Sequence, residues 1–234
     1  MRPGCSIIIP CCNEEEGIPA LKEKLTPVLE QCRKERKVEL LFIDDGSTDG
    51  TRQALEKYFG NEKILVHSKN ENLGAALRTG LQHSSHEILV FLDADCTYAP
   101  SLIPSLLHAI DAGADLALAS PYHPLGKVEG VPPWRAFLSQ SLSRFYRALL
   151  RAEIHTYTGM VRAFRSPLRT CAGPESDFTF VTLMTLRALQ LGTKIVEVPA
   201  VLTARVSGVS KMRTLQVGWK HLGILRKLLT GGKI

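Results

Sequence analysis

Val38-Glu39-Leu40-Leu41-Phe42-Ile43-Asp44-Asp45-Gly46-Ser47-Thr48-Asp49-Gly50 is the stretch that decides the fold. Val38 to Ile43 is a run of strand length, apolar but for Glu39, and the residues from Asp44 to Gly50 are rich in turn formers. The run reads as a buried strand, and the Ser and Asp behind it are able to cap a following helix. The same grammar recurs on either side. Ser6-Ile7-Ile8-Ile9 is a short β-branched run that Pro10 ends, and the stretch from about Glu14 to Arg33 sets Leu21, Leu25, Val28, Leu29 and Cys32 on one helical stripe. Ile64 to Val66, Glu87 to Leu92 and Leu116 to Ala119 read as further strands. Gly74 to His83 reads as a helix, and another starts near Pro100, a good first-turn residue. Strands separated by helices at this spacing predict parallel βαβ units and a doubly wound, mostly parallel α/β sheet flanked by helices. Ligands of such sheets lie beyond the carboxyl ends of the strands, so polar residues directly after strands are the candidates.

Past Ser120 the rhythm changes. Pro121 to Pro133 is a long Pro/Gly-rich loop of a kind that is often functional. A helix is predicted from Trp134 to Arg151, then the segment Thr156 to Phe164, a helix from Phe178 to Leu191 and a strand from Lys194 to Val198. A basic segment, Arg205 to Lys211, precedes a final helical stretch with Leu215, Trp219, Leu222, Leu225 and Leu229 on one face and Lys220, Arg226 and Lys227 around it. Such a helix suits the interface of an anionic bilayer; packing on the protein's own sheet is the competing reading.

The whole chain bounds the function. Its 234 residues suffice for one α/β core, and a single domain over residues 1–234 is expected. A net charge of +6 suits an anionic ligand or membrane and is too weak to argue for nucleic acid. There is no apolar run of the roughly 18 residues needed to cross a bilayer. The run from Cys5 to Pro10 is too short for a signal peptide, so a cytoplasmic chain, at most peripheral on a membrane, is expected. The six cysteines form neither a CxxC pair nor a zinc-spaced cluster and read as reduced thiols. A dinucleotide-binding dehydrogenase would need glycines straight after the first strand, where Pro10-Cys11-Cys12-Asn13-Glu14 offers none.

Acids follow three of the strands: Glu14 after the first, Asp44 and Asp45 after the second, Asp93 and Asp95 after the fourth. On one sheet edge they converge on one cleft. The Asp93-Ala94-Asp95 pair has a definite use, because two carboxylates can hold Mg²⁺ or Mn²⁺ beside a ligand's diphosphate. His123 and His155 have no acid at telling spacing and read as structural.

A series of motifs in chain order then resembles a known family. Ile9-Pro10-x-x-Asn13-Glu14, Phe42 to Thr51, Asn72-Leu73-Gly74 and Leu92-Asp93-Ala94-Asp95 look like the donor-site motifs of the family 2 glycosyltransferases. Tyr122 to Arg135, Tyr157 to Phe164 and Arg205-x-x-Gly208-x-Ser210-Lys211 resemble its dolichyl- and polyprenyl-phosphate mannose synthase branch. The resemblance implies a GT-A type nucleotide-diphosphosugar transferase fold, with residues 1–120 binding a nucleotide-sugar, 121–211 on the acceptor side and 212–234 as the basic helix. It implies Pro10, Cys12, Glu14, Ile43 and Asp45 around the nucleoside, with Asn72, Gly74, Asp93 and Ala94 completing the donor site. It further implies Asp93, Asp95 and Thr97 toward the metal, and Arg205 and Lys211 as cations near the phosphates. Arg135 and Arg162 fall on the acceptor side, Arg162 alternatively as a structural partner of an acid. Asn72 can also cap the helix behind it.

The implied reaction is inverting, metal-assisted transfer of a hexose, mannose from GDP-mannose preferred, to polyprenyl or dolichyl phosphate at a membrane surface. The alternatives are a UDP-sugar donor carrying glucose or N-acetylglucosamine, and a non-catalytic nucleotide-sugar-binding subunit. The chain departs from the family pattern at Pro121, where an Arg is common, at Thr97 for a Gln, at Leu183 for an acid, and at Thr158-Gly159-Met160-Val161-Arg162 for Ser-Gly-Phe-Arg. These changes bear on the sugar and the metal shell.

Overall fold

The computed structural model describes residues 2–205 and 214–230, with side chains of the last helix from 218 onward. Lys211, one of the expected cations, lies outside the described residues. Nine strands and seven α-helices are described: β1 (Cys5–Cys11), α1 (Ile18–Arg33), β2 (Val38–Asp44), α2 (Thr51–Phe59), β3 (Lys63–Val66), α3 (Leu73–His83), β4 (Ile88–Phe91), α4 (Ile103–Asp111), β5 (Leu116–Ser120), β6 (Lys127–Glu129), α5 (Pro133–Leu150), β7 (Arg162–Arg165), α6 (Thr179–Gln190), β8 (Ile195–Pro199), β9 (Val201–Thr203) and α7 (Thr214–Leu229). The main sheet runs β3-β2-β1-β4-β7-β5-β8, parallel except for β7, which is antiparallel to both its neighbours. This is the expected doubly wound α/β sheet with one reversed strand inserted.

The period-2 alternation of the strands sorts the core into two layers. Ile7, Ile9, Phe42 and Val90 pack with Leu21 and Leu25 of α1, Leu55 of α2 and Leu106 of α4. Ile8, Leu41, Ile43, Leu89 and Phe91 pack on the opposite side with Leu77 of α3 and Phe180 and Met184 of α6. Helix α3 lies so close that a Cβ on Gly80 would stand 2.3 Å from Ile8 and 3.0 Å from Ile43. Each large aliphatic side chain so buried stabilises the fold by about 1.5–3 kcal/mol.

Several boundaries differ from expectation. Pro10 does not end β1; the strand continues to Cys11, which pairs with Asp44. The amide of Leu92 donates to the carbonyl of Ile8, and Pro10 faces the same side two residues on. There β4 has ended, so the missing N–H of proline falls beyond the paired residues of the two strands. Helix α1 starts at Ile18 rather than Glu14, because residues 14–17 form a turn in which the carbonyl of Glu14 accepts from the amides of Gly17 and Ile18. The loop from Pro121 to Pro133 is not structureless: β6 pairs in parallel with β9 in a second small sheet.

The last helix splits the apolar face read from the sequence. Ile224 and Leu225 are buried, and the His221 Nδ1 and Tyr146 hydroxyl of α5 lie 3.0 Å apart in a hydrogen bond. Trp219, Leu222 and Leu229 lie on a second stripe and are exposed, Trp219 by 73 %. Helix α7 therefore docks on the protein through one stripe and presents another outward. No helix among the described residues is long and apolar enough to cross a membrane.

Candidate active site

The order β2-β1-β4 makes the β1/β4 pair the point where the sheet's direction of growth reverses, the usual place for a ligand crevice. A cavity of about 660 Å³ opens there. Its wall takes Cys12 and Glu14 from the end of β1, Asp45 from the end of β2 and Asp93, Ala94 and Asp95 from the end of β4. The three acid-bearing segments thus share one hollow.

The loops after β1 and β2 are stitched to each other, which fixes the acids between them. Asn13, in a left-handed conformation at φ 49°, donates its amide to Ser47 Oγ at 2.9 Å and accepts from the Thr48 amide at 2.7 Å. The Glu14 amide donates to Thr51 Oγ1 at 2.7 Å, and the Gly50 amide to Glu15 Oε2 at 2.9 Å. Asp44 is buried and caps this turn, its Oδ1 accepting from the Ser47 amide at 3.0 Å. It is structural, whereas Asp45 faces the cavity. Gly46 is required where it stands, because its φ is +63° and a Cβ would meet Lys69 backbone at 2.3 Å.

On the β4 side Arg205 bridges two of the acids, with Nε 2.7 Å from Asp95 Oδ2 and Nη1 3.2 Å from Glu14 Oε1. Asp95 Oδ1 accepts from the Thr97 amide at 3.0 Å. Burial, and then the neighbouring charge of Asp95, hold the Asp93 carboxyl well above the usual carboxylate range. A divalent cation relieves that strain by letting both groups carry charge, so the donor set fits a hard metal ion. Among the described residues no set of three or more His, Cys, Asp or Glu side chains is arranged to hold a metal. Asp93 and Asp95 are the carboxylates at this place, and a hard ion held by so few protein ligands commonly takes its remaining ones from water or phosphates.

Pro10, Cys12, Glu14, Asp45, Asn72, Asp93, Ala94, Asp95 and Arg205 all line this cavity, as the sequence implied. Others stand elsewhere. Ile43 is fully buried in the layer under α3, because strand parity turns it away from the cleft. Gly74 is packing rather than lining: its amide donates to Ser176 carbonyl at 2.6 Å, and a Cβ would stand 2.3 Å from Glu175 backbone. Thr97 is outside the wall; its carbonyl accepts from the Thr203 amide at 2.9 Å, which ties it to β9.

Arg162 does not line the cavity, and among the described residues it pairs with no acid. It is fully buried in β7 and donates to the carbonyls of Gly159, Met160 and Val181 and to Thr185 Oγ1. Burial pushes its guanidinium down to about 9. Arg135 lies on the first turn of α5 with its guanidinium over the Trp134 ring, 5.3 Å from the centroid, and is not part of the wall. His155 does have an acid partner, Glu197 at 2.6 Å, which lies 42 residues on and so was hidden from sequence spacing.

The far wall was missed by sequence reasoning. Ser176, Asp177, Phe178 and Lys220 line it, and Lys220 of α7 pairs with Asp177 at the start of α6. Burial alone would raise the Asp177 carboxyl, but hydrogen bonds from Lys220 and Thr179 outweigh it and hold the group below its usual value. The only local signal was Asp177-Phe178-Thr179, where Asp177 Oδ1 caps the helix through the Thr179 amide at 2.8 Å. Asn70 also lines the cavity and donates to Cys12 Sγ at 3.0 Å.

Known proteins resemble the chain in both sequence and fold. The family described as Glycosyl transferase family 2 matches residues 6–170. A polyprenol monophosphomannose synthase of Mycolicibacterium smegmatis is 35 % identical over 217 residues, covering 88 % of this chain and 80 % of that one. An undecaprenyl-phosphate mannosyltransferase of Micrococcus luteus is 31 % identical over 230 residues, covering 94 % and 91 %. A dolichol-phosphate mannosyltransferase of Pyrococcus furiosus is 29 % identical over 212 residues, and the match spans 59 % of its length. Among solved structures, glucosyl-3-phosphoglycerate synthase from Mycobacterium tuberculosis in complex with Mn²⁺, uridine diphosphate and glucosyl-3-phosphoglycerate superposes with a TM-score of 0.72 at 19 % identity, over 99 % of this chain and 81 % of that one. That likeness bears on the fold, which is of the GT-A type.

Proposed function

Because this chain belongs to glycosyltransferase family 2, we propose that it transfers mannose from GDP-mannose to a polyprenyl phosphate, with inversion, at a membrane surface. The single observation that carries the reading is the convergence of Glu14, Asp45, Asp93 and Asp95, from three strand ends, on one cavity of about 660 Å³. The names of its relatives, two of them above 30 % identity, supply the mannosyl and lipid-phosphate chemistry.

Each residue then has a task. Asp45 accepts from the ring N–H of the base, a donor that guanine and uracil both present. Asp93 and Asp95 would hold Mg²⁺ or Mn²⁺, which when bound neutralises charge on the departing nucleoside diphosphate. Arg205, already poised between Glu14 and Asp95, offers a guanidinium to the same phosphates in a water-poor site. An acceptor phosphate oxygen attacks the anomeric carbon as the bond to the diphosphate oxygen breaks. A phosphate monoester is already an anion near neutral pH, so no general base has to take a proton. Alignment and electrostatic guidance do the work.

Two neighbouring helices support delivery of a lipid-linked acceptor. Helix α7 exposes Trp219, Leu222 and Leu229, and α5, joined to it through Tyr146 and His221, exposes Trp134, Phe137, Leu138 and Phe145. Aromatic side chains beside Arg and Lys suit the headgroup region of an anionic bilayer.

Transfer of radiolabelled mannose from GDP-mannose to a short polyprenyl phosphate tests the proposal, with UDP-glucose and UDP-N-acetylglucosamine as competing donors. Turnover with GDP-mannose and Mn²⁺ is expected. Turnover with a UDP-sugar alone would replace the donor assignment, and an inactive protein that still binds a nucleotide-sugar would leave a binding subunit.

A further inference from the structure

His67, the first residue after β3, is not part of the cavity wall and belongs to none of the motifs that carry the family resemblance. Its side chain nevertheless touches the acid that faces the base. The His67 amide donates to the Asp44 carbonyl at 2.9 Å, which anchors the residue to the end of β2. Its Nδ1 lies 2.8 Å from Asp45 Oδ1, and its Nε2 lies 2.9 Å from Thr79 Oγ1 of α3. The ring is 12 % exposed and the Asp45 side chain 4 %, so neither bond competes freely with solvent.

The chemistry of the three groups sets the direction of the chain. A carboxylate oxygen only accepts, so Nδ1 carries the proton toward Asp45. In the neutral ring Nε2 is then an acceptor, and the Thr79 hydroxyl donates to it. The Glu71 amide adds a second donor to the same Asp45 Oδ1 at 2.9 Å. Two donors thus pin one oxygen from behind, while Oδ2 has no hydrogen-bond partner among the described residues and Asp45 lines the cavity.

We propose that His67 is a positioning residue: held by Thr79, it fixes the rotamer of Asp45 so that Oδ2 points at the donor's nucleobase, and it tunes affinity for the nucleoside end of the donor without touching the reacting atoms. The inference rests on the donor-site reading above and adds to it a residue that acts through another. Freeing a carboxylate to rotate spreads it over orientations that do not bind, and the ligand must restore the order on binding.

Calorimetric titration with GDP, UDP and pyrophosphate, each with Mn²⁺, tests it on the full chain. His67→Leu is expected to weaken GDP and UDP by about 10-fold, the size of one charge-assisted hydrogen bond, and to leave pyrophosphate within about twofold. Thr79→Val is expected to weaken the nucleotides by about two- to fivefold, since it loosens the ring but keeps the bond to Asp45. His67→Asn places an amide N–H near the old Nδ1 and should recover most of the loss. In the transfer assay His67→Leu raises the donor KM and leaves kcat within about threefold, the pattern of lost uniform binding. On an Asp45→Asn background His67→Leu should cost less than about twofold, because coupled groups are not additive.

A general loosening of the fold would weaken pyrophosphate as much as GDP, and that result overturns the inference. So does unchanged GDP affinity in His67→Leu, or additivity with Asp45→Asn. If His67→Leu does not fold, Thr79→Val carries the same nucleotide-against-pyrophosphate comparison. Wild-type protein that binds neither GDP nor UDP would sink the donor-site reading and this inference together. Wild-type binding that the variants leave intact sinks this inference alone.

Discussion

Up to Cys96 the motif acids Glu14, Asp45, Asp93 and Asp95 line a cavity, whereas beyond it Arg205 alone of the described motif charges does so and Arg162 is turned into the protein. These acids stand at strand ends; Asn13, Ser47 and Thr51 tie together the loops that carry Glu14 and Asp45, and Asp95 is held by the Thr97 amide and Arg205. Arg162 sits inside β7, where neighbouring carbonyls consume its guanidinium. The apolar residues show the reverse contrast: the first half buries them between sheet and helices, and the second leaves Trp134, Phe137 and Trp219 on its surface. Position relative to a strand end, more than residue type, separates a ligand-facing charge from a structural one here.

The largest expected effect comes from Asp95. Asp95→Asn should lower sugar transfer by about 10²–10³-fold, the usual loss when one group stabilising transition-state charge is removed. Thermal unfolding of the same variant should stay near that of the wild type. A comparable loss without any change in metal dependence would break the contrast between the halves.

Arg162→Met should do the opposite. It leaves several buried carbonyls without a donor, at about 1–3 kcal/mol each, so a loss on the order of 3–6 kcal/mol in unfolding free energy is expected. Donor affinity of the molecules that remain folded should be unchanged. An Arg162→Met protein of normal stability that no longer accepts lipid phosphate would return this residue to the acceptor side.

His221 adds a pH test of how α7 is held. Burial pushes its imidazole down from the usual 6.5 to about 4. The folded value is therefore the lower one, and between these limits the unfolded chain binds more protons than the folded one. The contribution is fully present above about pH 6.5 and is lost as pH falls towards 4, by on the order of 3 kcal/mol across the interval. Denaturant titrations at pH 7 and pH 4.5 should show that His221→Asn loses less stability on acidification than the wild type. Equal losses would mean that α7 does not bury the ring.

The smallest effect is expected at the surface. Trp219→Ser should weaken binding to vesicles containing anionic lipid by roughly 1–2 kcal/mol, with no change in unfolding temperature. If vesicle sedimentation of wild type and variant is the same, the exposed stripe of α7 serves another purpose.

Much of this was legible in the residues themselves. The runs at Ser6–Ile9, Val38–Ile43 and Glu87–Leu92 fall on β1, β2 and β4, and the acids behind them meet because parallel strands end on one edge. Ile43 was misread because the parity of a strand residue depends on which face its helices cover, and α3 covers this one. Arg162 was misread because β7 runs antiparallel between β4 and β5, a long-range insertion that local periodicity does not encode. The period of α7 is plain in the sequence, yet its docking stripe depends on the partner Tyr146 offers to His221. Asp177, Lys220 and His67 became visible only through tertiary contacts between segments far apart in the chain.

Electron paramagnetic resonance of Mn²⁺ titrated into the protein with GDP or UDP reads the site directly. The free-ion signal should fall sharply only when nucleoside diphosphate and wild-type protein are both present, and Asp95→Asn should restore most of it. A nucleotide affinity that is the same with and without Mn²⁺, and indifferent to Asp95→Asn, would contradict a site built from these carboxylates around a diphosphate and its cation.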